Sequence, residues 1–371
     1  MRIKRCHFMF VGFLIGMTAY LAAAPLERGE IEGAQFAIAS PSPDKKWNEK
    51  LLLIAHGYRP ESAPLVADLF PPQAAYATLL NEGWMVAKTS YRRNGIIVAD
   101  AIFDLDNLNS YISENYGTPK QVIVKGDSMG GTIATLLSER GGPHCHGLIA
   151  IGAALDLREN NGSSGVSIAP AVPLLFVSNR SEISGPTAYV RQVNQLPNPA
   201  ITSPALFRID RDGHINVNQA ERLFAIRAMD RWLERGRNAL PPAAKSNEPF
   251  DATHPAKPVP SKITIDSDRR GLEAEVTEIS AIYGNVWLNI QPEDLVQIGL
   301  GSGLWFEMTV DGKTYRVRSG KDFSSVEKGQ WVIFPNADGF YWLSRNSANA
   351  AETAGLKVRD KVQIRRYDSA E

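Results

Sequence analysis

The chain has 371 residues, enough for two or three domains, and an ordinary globular composition with 44% hydrophobic and 22% charged residues. Its 40 Lys and Arg residues balance its 40 Asp and Glu residues, so the formal net charge is zero. No field of one sign and no basic tract interleaved with aromatic residues is present, which argues against a nucleic-acid-binding protein.

The N-terminus has the pattern of a secretory signal peptide. Residues 1–5 form a basic segment with Arg2, Lys4 and Arg5, residues 8–21 form an apolar run, and residues 22–24 are alanines that suit cleavage. The apolar run is short for a membrane span. We therefore expect residues 1–24 to be removed and the mature protein to be secreted or periplasmic, without a stable membrane anchor. Cys145 would then be the single cysteine, which excludes an internal disulfide.

Short apolar runs alternate with amphipathic segments over the next two hundred or so residues, which predicts a mostly parallel sheet with helices on both faces. The predicted strands are, in chain order, residues 34–39, 50–55, 84–89, 122–125, 148–151, 174–177 and 206–209. The predicted helices, where apolar residues recur at helical spacing or a glycine ends the segment, are residues 73–82, 99–116, 132–139 and 220–232.

A G-x-S-x-G motif with Ser128 at its centre lies between a predicted strand and a predicted helix. This is the context that a nucleophile elbow requires. Gly126 and Gly130 would leave room for the strand and the helix to pass at contact distance. The N-terminus of the helix would direct the backbone N–H of Met129 towards the reacting oxygen. The motif therefore predicts that Ser128 is a catalytic nucleophile.

The order of these elements resembles the α/β-hydrolase family over residues 35–235, and a His-Gly-Tyr motif at residues 56–58 adds to the resemblance. The resemblance implies that the backbone N–H of Tyr58 is the second donor of an oxyanion hole. It also implies that His214, in a Gly-His pair after the last strand, is the general base. His56 is expected to have a structural role within its own loop.

Two carboxylates are candidates for the acid that orients the base. Glu182 follows the strand at residues 174–177, in an Asn179-x-x-Glu182 segment where the family usually has Gly-x-x-Asp. Its spacing matches the family pattern, and the order Ser128, Glu182, His214 is the order that this fold requires. Asp156, after the strand at residues 148–151, is the alternative acid.

No metal and no cofactor are expected. Residues 144–146 read His-Cys-His, but adjacent side chains on a turn point in different directions, which disfavours a metal site.

Composition changes at residues 238–261, a segment rich in Pro, Ala and Lys that reads as a semi-rigid linker. It would separate a catalytic domain, residues 25–237, from a second domain, residues 262–371. The second domain has predicted strands at residues 262–265, 304–310, 314–317 and 330–334, with a hairpin turn at Asp311-Gly312. Several short strands without long helices predict a small all-β barrel or sandwich.

Residues 275–365 resemble the C-terminal domain of the S-adenosylmethionine hydroxide adenosyltransferase and fluorinase family, most strongly in the segments 283–290 and 336–351. The resemblance implies that four residues would lie on the adenine side of a ligand, namely Asn285, Phe323, Arg345 and Asn346. The catalytic domain of that family is not found in this chain. A barrel retained for docking, for homo-oligomerisation or for substrate approach is therefore preferred to a nucleoside site.

The sequence thus predicts an exported serine hydrolase of the carboxylesterase kind, which cleaves a small-molecule or polymer-linked ester through an acyl-enzyme. An ester is preferred to a peptide because serine peptidases of this fold usually carry a large propeller or cap. The segment after Asp156, where caps are usually inserted, is short. The alternatives are a peptidase or amidase with the same triad, and a nucleoside- or S-adenosylmethionine-binding protein that acts through the barrel.

Overall fold

A computed structural model describes residues 24–70, 73–142, 145–157, 165–241, 250–255 and 263–367. The predicted signal peptide, except for its last residue, lies outside them, as do parts of the predicted linker. The chain divides into two compact units. The first includes the chain up to Arg211 and Gln219–His254, and the second includes Asp212–Asn218 and the chain from Pro255 onward. Within the described ranges, no helix is both long and apolar enough to cross a membrane.

The first unit is built on a nine-stranded sheet. Its strands are β1 (Leu26–Ile31), β2 (Ala34–Ala39), β3 (Lys50–Ala55), β4 (Met85–Thr89), β5 (Gln121–Asp127), β6 (Gly147–Ile151), β7 (Leu174–Asn179), β8 (Ala205–Ile209) and β9 (Phe250–Asp251). They are arranged in the order β1-β2-β4-β3-β5-β6-β7-β8-β9. β1 and β2 form an antiparallel hairpin, β2 is antiparallel to β4, and the strands from β4 to β9 are parallel.

Helices cover both faces of this sheet, as predicted. They are α1 (Ala74–Asn81), α2 (Val98–Tyr116), α3 (Met129–Arg140), α4 (Ser184–Gln195) and α5 (Gln219–Arg235). α2, α3 and α4 share one apolar cluster with the sheet, whereas α1 and α5 pack against each other. Because both faces are covered, β6 and β7 are buried throughout and β3 is buried after its first residue, which explains their continuous apolar runs.

The order of the strands places a switch point at β3. The chain passes from β3 to β4 on one side and then returns to form β5 on the other side of β3. In open α/β sheets, ligands bind beyond the carboxyl ends of the strands at such a switch point. Ser128 follows β5 and the His-Gly-Tyr motif follows β3, so both predicted parts of the site lie at this point.

The second unit is an all-β barrel, which confirms the predicted fold class. Its strands are β10 (Thr264–Ile265), β11 (Gly271–Ile279), β12 (Val286–Leu288), β13 (Trp305–Val310), β14 (Lys313–Ser319), β15 (Trp331–Pro335), β16 (Tyr341–Arg345) and β17 (Lys361–Arg366), with the short helices α6 (Pro292–Gln297) and α7 (Ala350–Ala354). Pairing of β11 with β17 closes the strands from β11 to β17 into a barrel, and β10 extends it along β11.

The predicted hairpin turn at Asp311-Gly312 joins β13 and β14. Both residues have positive φ, 46° and 75°, as the tight turns of β-hairpins require. Alternating residues of the strands fill the interior of the barrel, and these include Leu272, Ala274 and Val276 of β11. Within the predicted linker, β9 pairs with β8, so that part of this segment belongs to the first sheet.

Candidate active site

Ser128 lies at a sharp turn between β5 and α3. Its backbone has φ 58° and ψ −117°, a conformation that side-chain-bearing L-residues rarely adopt. The turn is held by the backbone on both sides. The Ser128 N–H donates to the carbonyl of Ile151 at 2.9 Å, and the Ser128 carbonyl accepts from Gly131 and Thr132 at 2.8 and 3.2 Å. Strain that the surrounding structure enforces in this way is typical of functional sites.

The two glycines of the motif are required by close approach of the backbone. A β-carbon on Gly126 would lie 1.8 Å from the carbonyl oxygen of Gly130, and one on Gly130 would lie 2.0 Å from the carbonyl oxygen of Ala55. Both distances are far shorter than any contact that a real β-carbon makes. The packing of β5, α3 and β3 at this turn therefore needs glycine at both positions, for the reason that the sequence suggested.

The loop after β3 passes directly beside Ser128. A β-carbon on Gly57 would lie 3.0 Å from the carbonyl oxygen of Asp127 and 3.8 Å from Oγ of Ser128. The next residue, Tyr58, has a side chain that is 48% exposed. The backbone of Gly57 is thus next to the Ser128 side chain, and Ser128 itself directly precedes α3, which begins at Met129.

His56 is buried and fixes the start of this loop. Its Nδ1 lies 2.7 Å from the Gly57 carbonyl oxygen and its Nε2 lies 3.0 Å from that of Ser90. The ring also packs on Tyr91, with centroids 3.9 Å apart. Burial, together with the nearby charges of Arg59 and Lys88, lowers the pKa of His56 to about 3. The imidazole is therefore neutral at ordinary pH, and its contacts are those of a structural residue.

A charged network that the sequence analysis missed lies beneath the elbow. Asp127 binds Lys125 through Oδ2 at 2.6 Å and Arg222 of α5 through Oδ1 at 2.7 Å. These two cations hold the pKa of the Asp127 carboxyl well below its usual range, although burial opposes the shift. Burial lowers the pKa of Lys125 to about 8. A lysine inside a buried strand was the available signal in the sequence.

The candidate acids follow the carboxyl ends of two neighbouring strands. Glu182 ends a 3₁₀ turn, Arg180–Glu182, directly after β7, and its side chain is partly buried. Asp156 is exposed on a turn after β6. The N–H of Arg180 donates to the carbonyl of Arg211 at 3.0 Å. This bond joins the segment of Glu182 to the residue that leads into the segment of His214.

His214 is exposed and lies between β8 and α5. Gly213 before it has φ 114° and Ile215 after it has φ 46°, so that the chain turns sharply at this residue. Both ends of the segment, at β8 and α5, belong to the first unit, whereas Asp212–Asn218 is grouped with the second. The assignment of His214 as base and of Glu182 or Asp156 as acid stays a prediction.

Glu139 of α3 fixes the short segment after β6, where larger caps would be inserted. Its carboxylate accepts hydrogen bonds from the N–H groups of Ser167 and Ile168 at 2.8 and 2.7 Å. It also accepts from the Tyr189 hydroxyl at 2.8 Å. Three donors on one carboxylate hold residues 167–168 against α3 and α4.

The His-Cys-His trio is only partly described, because His144 lies outside the described residues. Nδ1 of His146 accepts a hydrogen bond from the Val122 N–H at 2.9 Å. Cys145 is buried, which raises the pKa of its thiol to about 11. Among the residues that the structure describes, no three His, Cys, Asp or Glu side chains are grouped to hold a metal ion.

In the barrel, the predicted adenine-side residues make contacts within their own domain. Nη1 of Arg345 donates to Thr353 at 2.8 Å and Nε donates to the Gly329 carbonyl at 3.0 Å. The Asn346 amide donates to the Val326 carbonyl at 2.8 Å. Phe323 is 47% exposed, and Asn285 immediately precedes β12.

An open groove of about 450 Å³ on the barrel is lined by none of these four residues. Its lining residues are Trp305, Arg318, Ser324, Ser325, Val326, Glu327 and Gln330.

Comparisons with known proteins find different relatives for different parts of the chain. Residues 278–363 match the family model of the SAM hydroxide adenosyltransferase C-terminal domain. Over 92 residues the chain is 34% identical to a fluorinase of Nocardia brasiliensis. The aligned region covers 24% of this chain and 31% of the fluorinase. The chain spans about a third of the length of the curated relatives it matches.

Two solved structures align with more than half of this chain. One is an α/β serine hydrolase without a lid from Xanthomonas campestris, at 16% identity and a TM-score of 0.38, covering 61% of this chain and 99% of that one. The other is an esterase/lipase from an uncultured bacterium, at 14% identity and a TM-score of 0.42, covering 59% of this chain and 85% of that one. The chain joins a domain with a mostly parallel sheet to a barrel of which residues 278–363 match the family model of the SAM hydroxide adenosyltransferase C-terminal domain.

Proposed function

We propose that the chain is a serine hydrolase that cleaves a carboxylic ester through an acyl-enzyme on Ser128. The observation that carries this proposal is the backbone conformation of Ser128, which has φ 58° between a buried strand and a helix. An inert serine would gain nothing from such a conformation, which costs about 1–3 kcal/mol. The packing of Gly57 beside the serine side chain supports the same proposal.

In the proposed reaction, Oγ of Ser128 attacks the ester carbonyl carbon while His214 takes the hydroxyl proton. The carbonyl oxygen becomes an oxyanion, which would accept hydrogen bonds from the N–H groups of Tyr58 and Met129. Each such donor is worth about 3–4 kcal/mol by precedent. The C–O bond to the alcohol then breaks, and His214 returns the proton to the leaving oxygen. A water molecule, activated by the same base, hydrolyses the acyl-enzyme and restores Ser128.

Glu182 is the acid that we propose to orient the imidazole. It follows β7, and the N–H of Arg180, directly after that strand, donates to the carbonyl of Arg211, shortly before His214. Asp156 follows β6, one strand nearer to β5. The two assignments differ in a measurable way, because removal of the true acid leaves the nucleophile accessible but slows acylation by orders of magnitude.

The first experiment compares the mature protein with Ser128→Ala, using a fluorophosphonate probe and nitrophenyl esters of increasing acyl length. Labelling and turnover that are present in the wild type and lost in Ser128→Ala would support the proposal. Absence of both in the wild type would contradict it. His214→Ala, Glu182→Ala and Asp156→Ala then assign the remaining roles. Turnover of aminoacyl anilides without turnover of esters would favour the peptidase alternative.

For the barrel we propose a supporting role, in docking, homo-oligomerisation or substrate approach. The polar groups of Arg345 and Asn346 are already bonded within the barrel, which supports this choice over a nucleoside site. The family match keeps nucleoside binding as the alternative. Equilibrium dialysis of the full chain with adenosine and with S-adenosylmethionine tests it, and binding at micromolar concentration would overturn the supporting role.

The proposed location, secreted or periplasmic after cleavage of residues 1–24, is tested by N-terminal sequencing of the exported protein. A mature N-terminus near residue 25 is the expected result.

A further inference from the structure

Arg59 is a buried arginine in the loop that follows β3, two residues after Gly57. It is only 2% exposed, although it lies outside every strand and helix of the first unit. Burying a guanidinium is costly unless its donors are paired. The partners of Arg59 therefore indicate what this residue does in the loop.

The guanidinium joins the beginning of the loop to its end. Nη1 of Arg59 donates to the carbonyl oxygen of Val66 at 2.7 Å, and Nη2 is paired with the carboxylate of Asp68. Asp68 is paired in turn with Lys88 of β4 at 2.7 Å. The two ends of residues 59–68 are thus tied to each other and to the neighbouring strand.

The segment after β4 holds the same loop through two further hydrogen bonds. The Gly95 N–H donates to the carbonyl of Arg59 at 3.0 Å. The side-chain amide of Asn94, which is also buried, donates to the carbonyl of Ala63 at 2.7 Å. Arg59 is therefore fixed both through its side chain and through its backbone.

Arg59 is close along the chain to the backbone that contacts the nucleophile. A β-carbon on Gly57 would lie 3.8 Å from Oγ of Ser128. Consecutive α-carbons are about 3.8 Å apart, so the α-carbon of Arg59 is within about 7.6 Å of that of Gly57. On the other side of Gly57, the ring of His56 is held by the carbonyl of Ser90. The two residues between His56 and Arg59, of which Gly57 faces Ser128, are thus held from both ends.

We propose that Arg59 is a positioning residue, which holds the loop after β3 in the place where its backbone can bind the oxyanion formed at Ser128. The inference rests on the proposed function, in which the N–H of Tyr58 is one of the two oxyanion donors. It adds the side chain on which the position of that donor depends. Arg59 itself does not touch the substrate.

The geometry of an oxyanion site sets the size and the kind of effect to expect. A donor acts at about 2.7–3.1 Å from the oxyanion, and a displacement of about 1 Å costs about a hundredfold in rate. The oxyanion is absent from the bound ester and forms only as the reaction proceeds. Loss of Arg59 should therefore slow acylation and leave substrate binding nearly unchanged.

The test is single-turnover acylation of the full chain by nitrophenyl acetate, with active sites counted by a fluorophosphonate label. Arg59→Ala should lower the acylation rate constant at saturation by about tenfold to a hundredfold. The half-saturating ester concentration should change by less than about threefold. Arg59→Lys keeps the charge, but its ammonium cannot span Val66 and Asp68 as the guanidinium fork does, so acylation should slow by about threefold or more.

Arg28→Ala is the matched control. Nη1 of Arg28, on β1, donates to the carbonyl of Ala67 at 2.8 Å, next to the carbonyl that Arg59 binds. This variant removes an arginine-to-carbonyl bond from the same end of the loop and leaves the contacts of Arg59 in place. Its acylation rate constant should stay within about twofold of the wild type.

Thermal melts show which variants are folded, and Arg59→Lys carries the test if Arg59→Ala does not fold. Wild-type acylation in every folded Arg59 variant would overturn the inference, and so would an equal loss in Arg28→Ala. A loss that appears only as weaker ester binding would also overturn it. If Ser128→Ala abolishes turnover but the Arg59 series is flat, this inference alone fails. If the wild type has no turnover, the proposed function fails and the inference fails with it.

Discussion

The α-carbon of Gly57 faces the side chain of Ser128. A β-carbon at position 57 would approach Cβ of Ser128 to 3.2 Å and the carbonyl oxygen of Asp127 to 3.0 Å. The backbone that follows β3 and the backbone of the elbow are therefore in contact, with no side chain between them. An oxyanion site built from backbone donors requires such a contact of two backbone segments beside the nucleophile.

Gly57→Ala is predicted to reduce turnover far more than stability. The added methyl group would need its neighbours to move by a few tenths of an ångström, which would shift the loop or the elbow. Misplacement on this scale lowers kcat/KM by about tenfold or more, whereas the free energy of unfolding should fall by only about 1 kcal/mol. Ester hydrolysis and chemical denaturation measure the two effects.

Gly185→Ala is the matched control for this prediction. Gly185 is the second residue of α4, where a β-carbon would find only Cδ1 of Leu155, at 3.9 Å. Replacing glycine by alanine within a helix is expected to stabilise the protein by about 0.5–1 kcal/mol and to leave turnover unchanged. A Gly57→Ala enzyme with wild-type kcat/KM would contradict the proposed path of the loop beside Ser128.

The sequence predicted the core of the first sheet well, because buried parallel strands are short, continuous apolar runs. The predicted strands at residues 34–39 and 50–55 have the bounds of β2 and β3. The elbow was equally clear, since Gly126, Ser128 and Gly130 leave few other ways to turn from a strand into a helix. Both features depend on local sequence alone, and for this reason they could be predicted.

Elements with weaker patterns were missed. α4 buries only Pro186, Tyr189, Val190 and Val193, so its helical spacing is diluted by polar residues. β11 alternates buried residues with glutamates, so it contains no continuous apolar run, and the predicted strands of the second domain do not include it. The second partner of Asp127, on α5, could not be predicted at all. Arg222 lies 95 positions from Asp127, and only the packing of α5 on the sheet brings them together.

Glu139→Gln is predicted to destabilise the segment after β6. The carboxylate accepts from two backbone N–H groups and one hydroxyl, and an amide would place its own NH₂ group against some of these donors. The Ser167 N–H is exposed and can bond water instead, but Tyr189 is buried, and a buried donor left without an acceptor costs about 1–3 kcal/mol. Denaturant titration should show a loss of about 2 kcal/mol.

Glu114→Gln makes the same chemical change on an exposed face of α2 and serves as the control for Glu139→Gln. It should change the free energy of unfolding by no more than about 0.5 kcal/mol. Proteolysis within residues 165–172 should become faster in Glu139→Gln alone. Equal stability of the two variants would show that the Glu139 carboxylate does not hold this segment.

The last prediction concerns the pH dependence of stability, which His56 should influence. Burial lowers its pKa to about 3 in the folded protein, whereas an exposed histidine titrates near 6.5. Below pH 6.5 the unfolded chain therefore binds a proton that the folded protein excludes, so stability falls as the pH falls. Between pH 7 and pH 5 this single group should cost about 2 kcal/mol of unfolding free energy.

His56→Gln isolates this contribution, because glutamine does not titrate and can still donate to one of the two carbonyls. The variant will be less stable at pH 7, but its stability should fall by about 2 kcal/mol less than that of the wild type on going to pH 5. Between pH 7.5 and 8.5 histidine is neutral in both states, so the two curves should run parallel there. If the stability curves of the two proteins also stay parallel down to pH 5, the buried ring accepts a proton and this prediction is wrong. The ring between the Gly57 and Ser90 carbonyls would then be an imidazolium that donates to both of them.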